Sequence, residues 1–176
     1  MEFGKDLGTI IMPDVIKNNE ELLFINNEVV EQIIREAKKS QRHMARLLLH
    51  FDHEDPVQEM LIAMSRDCAV MPNRSVGRSE SLQVVQGELL LVIFDDNGTI
   101  VKRIEMGPAG SDKVFLYRLS STPWHTMIPL TEMVVVHEAL QGPFKQSSEP
   151  LPDWVPGDSE SLKRFLKEIE TQAASL

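Results

Sequence analysis

The chain has one cysteine, Cys68, which excludes an intrachain disulfide framework and any zinc ribbon built on cysteine pairs. It has no apolar run approaching the roughly 18 residues that a membrane span requires. Its start, Met-Glu-Phe-Gly-Lys-Asp, lacks the basic segment and apolar core of a secretory signal, so the cytoplasm is the expected compartment and no membrane partner is expected. Basic residues are scarce: 18 Lys and Arg stand against 27 Asp and Glu, a net charge of −9 that argues against general affinity for nucleic-acid backbones. The one basic cluster, Lys38-Lys39-Ser40-Gln41-Arg42, sits where a helix is predicted to end and reads as a solvated helix terminus. There is no internal repeat and no low-complexity tract.

What is present is an ordinary globular balance, 42% hydrophobic and 26% charged, in 176 residues that suit one domain. Residues 1–27 are read as an N-terminal extension of uncertain structure. Val30, Ile33, Ile34 and Ala37 recur at helical spacing, which predicts an amphipathic helix over 28–42, capped by Asn27. From Val57 to Leu140 the texture changes to short β-rich runs: 57–64, 67–73, 80–86, 88–94, 99–105, 113–119, 124–129 and 132–140. Asp95-Asp96-Asn97-Gly98 is a hairpin signal, because Asn and Gly tolerate positive φ. Gly107-Pro108-Ala109-Gly110 and Ser120-Ser121-Thr122-Pro123 are further breaks. Many short strands without alternating helices argue for a β-sandwich or barrel. A proline-rich stretch over 149–157 reads as an extended surface segment anchored by Trp154. A second helix is predicted over 158–176, with Ser159 as its cap and Leu162, Phe165, Leu166 and Ile169 as its apolar stripe. That stripe reads as packing, with docking of a second subunit as the alternative. Cys68, in a strand-like stretch, reads as a buried thiol rather than a nucleophile.

One spacing carries chemistry. Asn73-Arg74-Ser75, four residues, Glu80, six residues, Gly87 has the frame of a motif that reads His-x-His, then three or four residues, Glu, six residues and Gly. On a strand, residues i and i+2 share a face, so two imidazoles there would project together and a Glu from the next strand would join them. A later histidine, here His125 of Trp124-His125, closes such a set. This is the pattern of cupin metal sites, and the chain resembles it with the spacing kept and both first-motif histidines replaced.

A wider set of matches runs through His50, Asp55-Pro56-Val57-Gln58, Leu61-Ile62-Ala63, Pro72 with Arg74, Val84-Val85-Gln86-Gly87, Phe94-Asp95-Asp96-Asn97-Gly98, Gly107-Pro108-Ala109-Gly110, Trp124-His125-Thr126, Gly142-Pro143-Phe144 and Trp154. On these residues the chain resembles the WbuC family of cupin-fold metalloproteins over about 28–157. The resemblance implies a mainly β cupin-type double-stranded β-helix, a conical β-barrel, with flanking N- and C-terminal helices and commonly a homodimer. It also implies an association with O-antigen and other surface-polysaccharide genes, without a settled reaction. Two departures stand out: the family's asparagines before the matched His50 are Leu48 and Arg46 here, and the aromatic often found before the motif Glu is Ser79.

Of four usual ligands, Glu80 and His125 remain. Zinc and similar ions want three or four good donors, so the expectation is a metal-free pocket, with a divalent metal as the lesser alternative. His50 would join Glu80 and His125 only if a metal is bound; otherwise it makes a hydrogen bond under the helix. The ligand-binding candidates are Asn73, Arg74, Ser75, Glu80 and His125, with Arg74 either clamping an anionic group or lying on the outer strand face. Alternation puts His137 on the face of Val135, opposite Val134 and Val136, and leaves open which face is the barrel interior. His43 and His53 read as solvent-facing. The functional expectation is a cupin that binds a small molecule, a sugar or sugar nucleotide. The alternative is an isomerase- or epimerase-type enzyme in which Glu80 and His125 are the catalytic candidates.

Overall fold

The computed structural model describes residues 8–12, 14–120, 123–144 and 151–173. Residues 1–7, Ser121 and Thr122 of the second motif, and Glu149-Pro150 of the proline-rich stretch lie outside the described residues. In chain order the elements are β1 (Thr9–Met12), β2 (Val15–Lys17), α1 (Asn27–Lys39), β3 (Met44–Leu48), β4 (Val57–Ser65), β5 (Glu80–Gln86), β6 (Leu89–Phe94), β7 (Ile100–Met106), β8 (Leu116–Leu119), β9 (Trp124–Pro129), β10 (Met133–Gln141) and α2 (Ser159–Ala173).

The strands form two sheets, one in the order β1-β2-β3-β4-β10-β5-β8 and one in the order β7-β6-β9. Consecutive strands pass back and forth between them: β5 lies in the large sheet, β6 and β7 in the small one, β8 in the large, β9 in the small and β10 in the large. That is the topology of the cupin-type double-stranded β-helix. Every pairing between these strands is antiparallel except β2 with β3, and an isolated parallel bridge joins Met106 to Val114.

Period-2 alternation decides which side chains face inward. The interior core draws on both sheets: Ile62, Met64, Leu82, Val84, Val134 and Val136 from the large one, Leu89, Leu91, Met106 and Met127 from the small one. The alternate residues face outward and each sheet is covered by a helix. Val29, Val30, Ile33 and Ala37 of α1 pack on Ala45, Leu47, Leu61, Ala63 and Val135. Leu162, Leu166 and Ile169 of α2 pack on Leu90, Val92, Phe94, Trp124 and Ile128. β6 is therefore apolar on both faces, as a strand covered on both sides must be.

Several sequence expectations need correction. The first helix starts and stops earlier than predicted: Asn26, not Asn27, is the cap, its side chain accepting from the Val29 amide at 3.0 Å. The chain turns out of the helix through His43, at φ 57°. At α2 the cap is Asp158, whose Oδ1 accepts from the amides of Glu160 (3.1 Å) and Ser161 (2.9 Å). The predicted strand 67–73 does not form. Arg66-Asp67 makes a turn, Pro72 cannot donate to a ladder, and only an isolated bridge joins Asn73 to His125. β8 is shorter than the predicted 113–119. Three strands were not anticipated: β1 and β2 within the unassigned extension, and β3 just after α1.

Candidate functional site

Glu80 opens β5 and His125 is the second residue of β9, so each stands at the same end of a different sheet. Both point inward, because Glu80 alternates with Leu82 and Val84, and His125 with Met127, all interior residues. Their side chains meet across the barrel at 3.3 Å, His125 Nε2 to Glu80 Oε1, and each is 3% exposed. The same Oε1 accepts a 2.6 Å hydrogen bond from the Tyr117 hydroxyl. Tyr117 comes from β8, whose register places it directly opposite Leu82. The other imidazole nitrogen, His125 Nδ1, donates to the Pro123 carbonyl at 3.0 Å.

Charge follows from this geometry. Burial alone would keep His125 neutral, but the hydrogen bond and charge of Glu80, helped by the Pro123 carbonyl, raise its pKa above the ordinary imidazole value. Burial alone would likewise raise Glu80, and the hydrogen bond and charge of His125, the Tyr117 hydroxyl and Arg78 hold it below the usual carboxylate range. Both shifts favour an imidazolium–carboxylate pair. Burial and the Glu80 charge push the Tyr117 phenol upward, so it stays a donor.

Two more interior groups complete the polar end. Glu138 alternates with Val134 and Val136, so it projects into the barrel while His137 lies on the outer face with Val135. His137 Nε2 is 3.5 Å from Glu59 Oε1, which resolves the alternative left open by alternation. Burial first, then repulsion by Glu80, pushes the Glu138 carboxyl up to about 7 against the pull of Arg46, His125 and Arg78. Arg46 of β3 shares the face of Met44, opposite Ala45 and Leu47, and so faces the same interior. Burial, with Arg42, lowers it from the ordinary guanidinium value.

The remaining sequence candidates are placed less centrally. Asn73 reaches His125 through its backbone, amide to carbonyl in both directions at 3.0 Å, but its exposed side chain donates to the Met71 carbonyl at 3.3 Å. Ser75 is half-buried in the following loop. Arg74 takes the outer face: its Nη1 is 2.7 Å from Asp96 Oδ1 and its guanidinium lies 4.8 Å from the centre of the Trp124 ring. His50 is buried with Nδ1 2.9 Å from the Glu59 carbonyl oxygen. Cys68 is buried, and burial pushes its thiol up to about 11.

The donor set does not fit a transition metal. A separation of 3.3 Å would let Glu80 and His125 share an ion, but a catalytic zinc site uses three protein donors. No group of three or more His, Cys, Asp or Glu among the described residues is placed to hold one, so the His50/Glu80/His125 set does not assemble. Of the polar residues on the interior face, sequence reading missed Tyr117, which bonds Glu80, and Glu138 and Arg46, which share that face. Glu138 had a signal, the alternation of Val134, Val136 and Glu138 itself. Tyr117 had none, since only the β5–β8 register brings it to Glu80. An open cleft of about 600 Å³ is lined by Phe94, Asp95, Asp96, Arg118, Pro123 and Trp124; it adjoins His125 through Pro123, but Glu80, His125, Tyr117 and Glu138 do not line it.

A family model described as a domain of unknown function, DUF6016, matches residues 25–106. No curated protein matches the chain. Among solved structures, the cupin domain of Schizosaccharomyces pombe Cnp3 is 13% identical, with 58% of this chain and 66% of that one covered and a TM-score of 0.45. KdgF from Halomonas sp. is also 13% identical, covering 58% of this chain and 82% of that one at a TM-score of 0.45. An HTH_3 family transcriptional regulator from Vibrio cholerae is 17% identical over 57% of this chain at a TM-score of 0.43; the match spans about half of that protein, 52%. No helix is long and apolar enough to cross a membrane among the described residues.

Proposed function

We propose that this cupin binds a polar small molecule, a sugar or sugar nucleotide, at the polar end of its barrel and does so without a metal ion. Glu80 and His125 are the central contacts, with Tyr117 fixing the carboxylate and Asn73 and Ser75 bordering them. Arg74 belongs to the rim, where Asp96 and Trp124 already engage it. The observation that carries the reading is the closed set around Glu80 Oε1, which takes a hydrogen bond from Tyr117 and faces His125 with no third metal donor among the described residues. The WbuC resemblance supports the carbohydrate class, a role beside surface-polysaccharide synthesis and a homodimer.

A second reading has one observation of its own. Glu138, held at about 7 beside an imidazolium–carboxylate pair, has the proton affinity that suits general acid–base work near neutral pH. An isomerase- or epimerase-type enzyme would use it for proton transfer next to a sugar carbonyl.

One set of measurements separates the two. Protein purified without chelator or affinity-tag metal is analysed for metal content, then titrated with glucose and UDP-glucose beside the Glu80→Gln, His125→Ala double variant. The expected result is far less than one metal per chain, saturable binding that the double variant loses, and no turnover. Stoichiometric metal that the double variant loses would overturn the metal-free reading. Turnover that Glu138→Gln abolishes would select the enzyme.

A further inference from the structure

A ligand that touches Glu80 and His125 must displace something, because each side chain is 3% exposed. One stretch of chain adjoins both. Asn73 is the backbone neighbour of His125 on the side of β9 away from β6, with amide-to-carbonyl bonds of 3.0 Å in both directions. The chain then runs through 74–79 and enters β5 as Glu80 itself. It therefore crosses from the small sheet to the large one beside the point where the pair meets. Extended, the run from 73 to 80 would reach roughly 23 Å. The gap it crosses is one that two side chains already close by meeting at 3.3 Å, so the segment has slack.

Clamps hold its two ends. Upstream, the buried Thr126 hydroxyl donates to the Val70 carbonyl at 2.6 Å. Downstream, Gln141 closes β10 and grips Ser79 twice: its amide donates to the Ser79 carbonyl at 2.9 Å, and its Oε1 accepts from the Ser79 amide at 3.2 Å. The Gln141 carbonyl also accepts from Arg78 Nε. Between the clamps the hold is lighter. No residue from 71 to 79 belongs to a core cluster, and Val76 is 62% exposed. Gly77, beside the downstream clamp, stands at φ 72° with open space around it, a conformation in which glycine is unstrained. The segment is fastened to the barrel by the Asn73–His125 bridge and by Arg74, whose Nη1 is 2.7 Å from Asp96 and whose guanidinium lies over Trp124. The Asp96 side chain is 82% exposed, and an ion pair in water holds weakly.

We propose that residues 71–77 form a strap that gates the Glu80–His125 pair, lifting from His125 and Asp96 and turning about Gly77 while the clamps at Val70 and Gln141 hold. Lifting breaks two backbone bonds, one exposed ion pair and one cation–π contact, and exposes little buried apolar surface. Opening of that kind costs far less than unfolding the barrel, so it occurs within the native state. The inference rests on reading the pair as the binding site and adds how a ligand gains entry to it.

The test needs no ligand. Native-state hydrogen exchange of the whole chain, followed by NMR at low urea concentrations, compares the Asn73 and His125 amides with those of Gln141 and of Val92 in β6. The Asn73 and His125 amides are expected to exchange together, with protection about a hundredfold or more below that of Val92 and almost independent of urea. The Gln141 amide, held by the downstream clamp, should be at least about tenfold better protected than either. The second readout is the rate at which diethyl pyrocarbonate modifies the His125 ring, located by peptide mass spectrometry. Arg74→Ala, a surface change, is expected to raise that rate by about tenfold with the urea midpoint unmoved. Exchange of Asn73 and His125 along the urea slope of global unfolding would overturn the gate. So would equal protection at Gln141, which would mean that the whole barrel end frays, or a modification rate that Arg74→Ala leaves unchanged. A glucose titration of the same protein keeps the two readings apart: glucose bound without strap opening removes the gate alone, and strap opening without glucose binding removes the sugar alone.

Discussion

Glu80 and His125 come from different sheets and meet at 3.3 Å inside the barrel, so one ion pair ties the two halves of the fold together at its polar end. Removing one partner strands the other in a dry site. Glu80→Gln is expected to cost about 3–5 kcal/mol of unfolding free energy. The sign with pH follows from each partner. His125 has a raised folded pKa, so its contribution is complete below the ordinary 6.5 and fades as pH rises through the folded value. Glu80 has a lowered one, so its contribution is complete above 4.5 and fades as pH falls through the folded value. The gap between wild type and Glu80→Gln in urea unfolding should therefore be widest from 4.5 to 6.5 and shrink on both sides. A gap that does not change with pH would mean that the two groups are not ionised together.

Glu138 carries the opposite sign. Its folded pKa of about 7 lies above the ordinary 4.5, so the folded state holds a proton that the unfolded chain has already lost. Stability is penalised as pH rises from 4.5, and the penalty is complete above about 7. Glu138→Gln removes it. Calorimetry should find the variant equal to wild type near pH 4 and more stable at pH 8, by on the order of 3 kcal/mol. A variant less stable than wild type at pH 8 would show that the ionised carboxylate is compensated by Arg46 and Arg78 after all.

These residues also show what was legible in the sequence. The barrel was, because β5, β6, β9 and β10 are strands whose apolar alternation is set by burial on fixed faces, and their predicted limits agree with the structure to within a residue. Glu80 and His125 were legible as a pair because a motif spacing encodes the strand at whose start each lies. Tyr117 and Arg46 were not, since their approach depends on the β5–β8 register and on β3, a five-residue strand with no turn signal ahead of it. The stretch 67–73 failed for the converse reason: its composition is strand-like, but a turn at Arg66-Asp67 and the missing N–H of Pro72 prevent a ladder.

The apolar stripe of α2 closes one outer face of the barrel. Leu162, Leu166 and Ile169 cover the outer face of β6 and β9, and Arg66 reaches across to bond both the Pro129 carbonyl and Glu170 of the helix. Leu166→Ala should cost about 2–5 kcal/mol, the range for a buried leucine. A chain ended at Gly157 should lose its cooperative thermal transition and aggregate, because Leu90, Val92 and Ile128 would then face water. A truncated chain that melts cooperatively near the wild-type temperature would show that α2 is an appendage.

Gly98 supports a second outer contact, through space rather than through chemistry. It closes the Asp95–Thr99 turn at φ 82°, with Asp95 Oδ1 accepting from the amides of Asn97 (2.9 Å) and Thr99 (2.8 Å). A Cβ there would stand 2.6 Å from the Trp154 ring. That ring is held by its Nε1 bond to the Asp96 carbonyl at 3.2 Å and by packing on Phe94 and Trp124, with centroids 5.0 and 5.9 Å away. Gly98→Ala therefore meets two penalties, positive φ and a collision with a ring that cannot retreat into the core. A loss of about 1–3 kcal/mol is expected, together with a red-shifted tryptophan emission as Trp154 is pushed into water. Since the chain has only two tryptophans, Trp154→Phe provides the spectrum of Trp124 alone. If Gly98→Ala destabilises the protein while its emission stays that of wild type, the cost lies in the turn and Trp154 is not the anchor of the segment before α2.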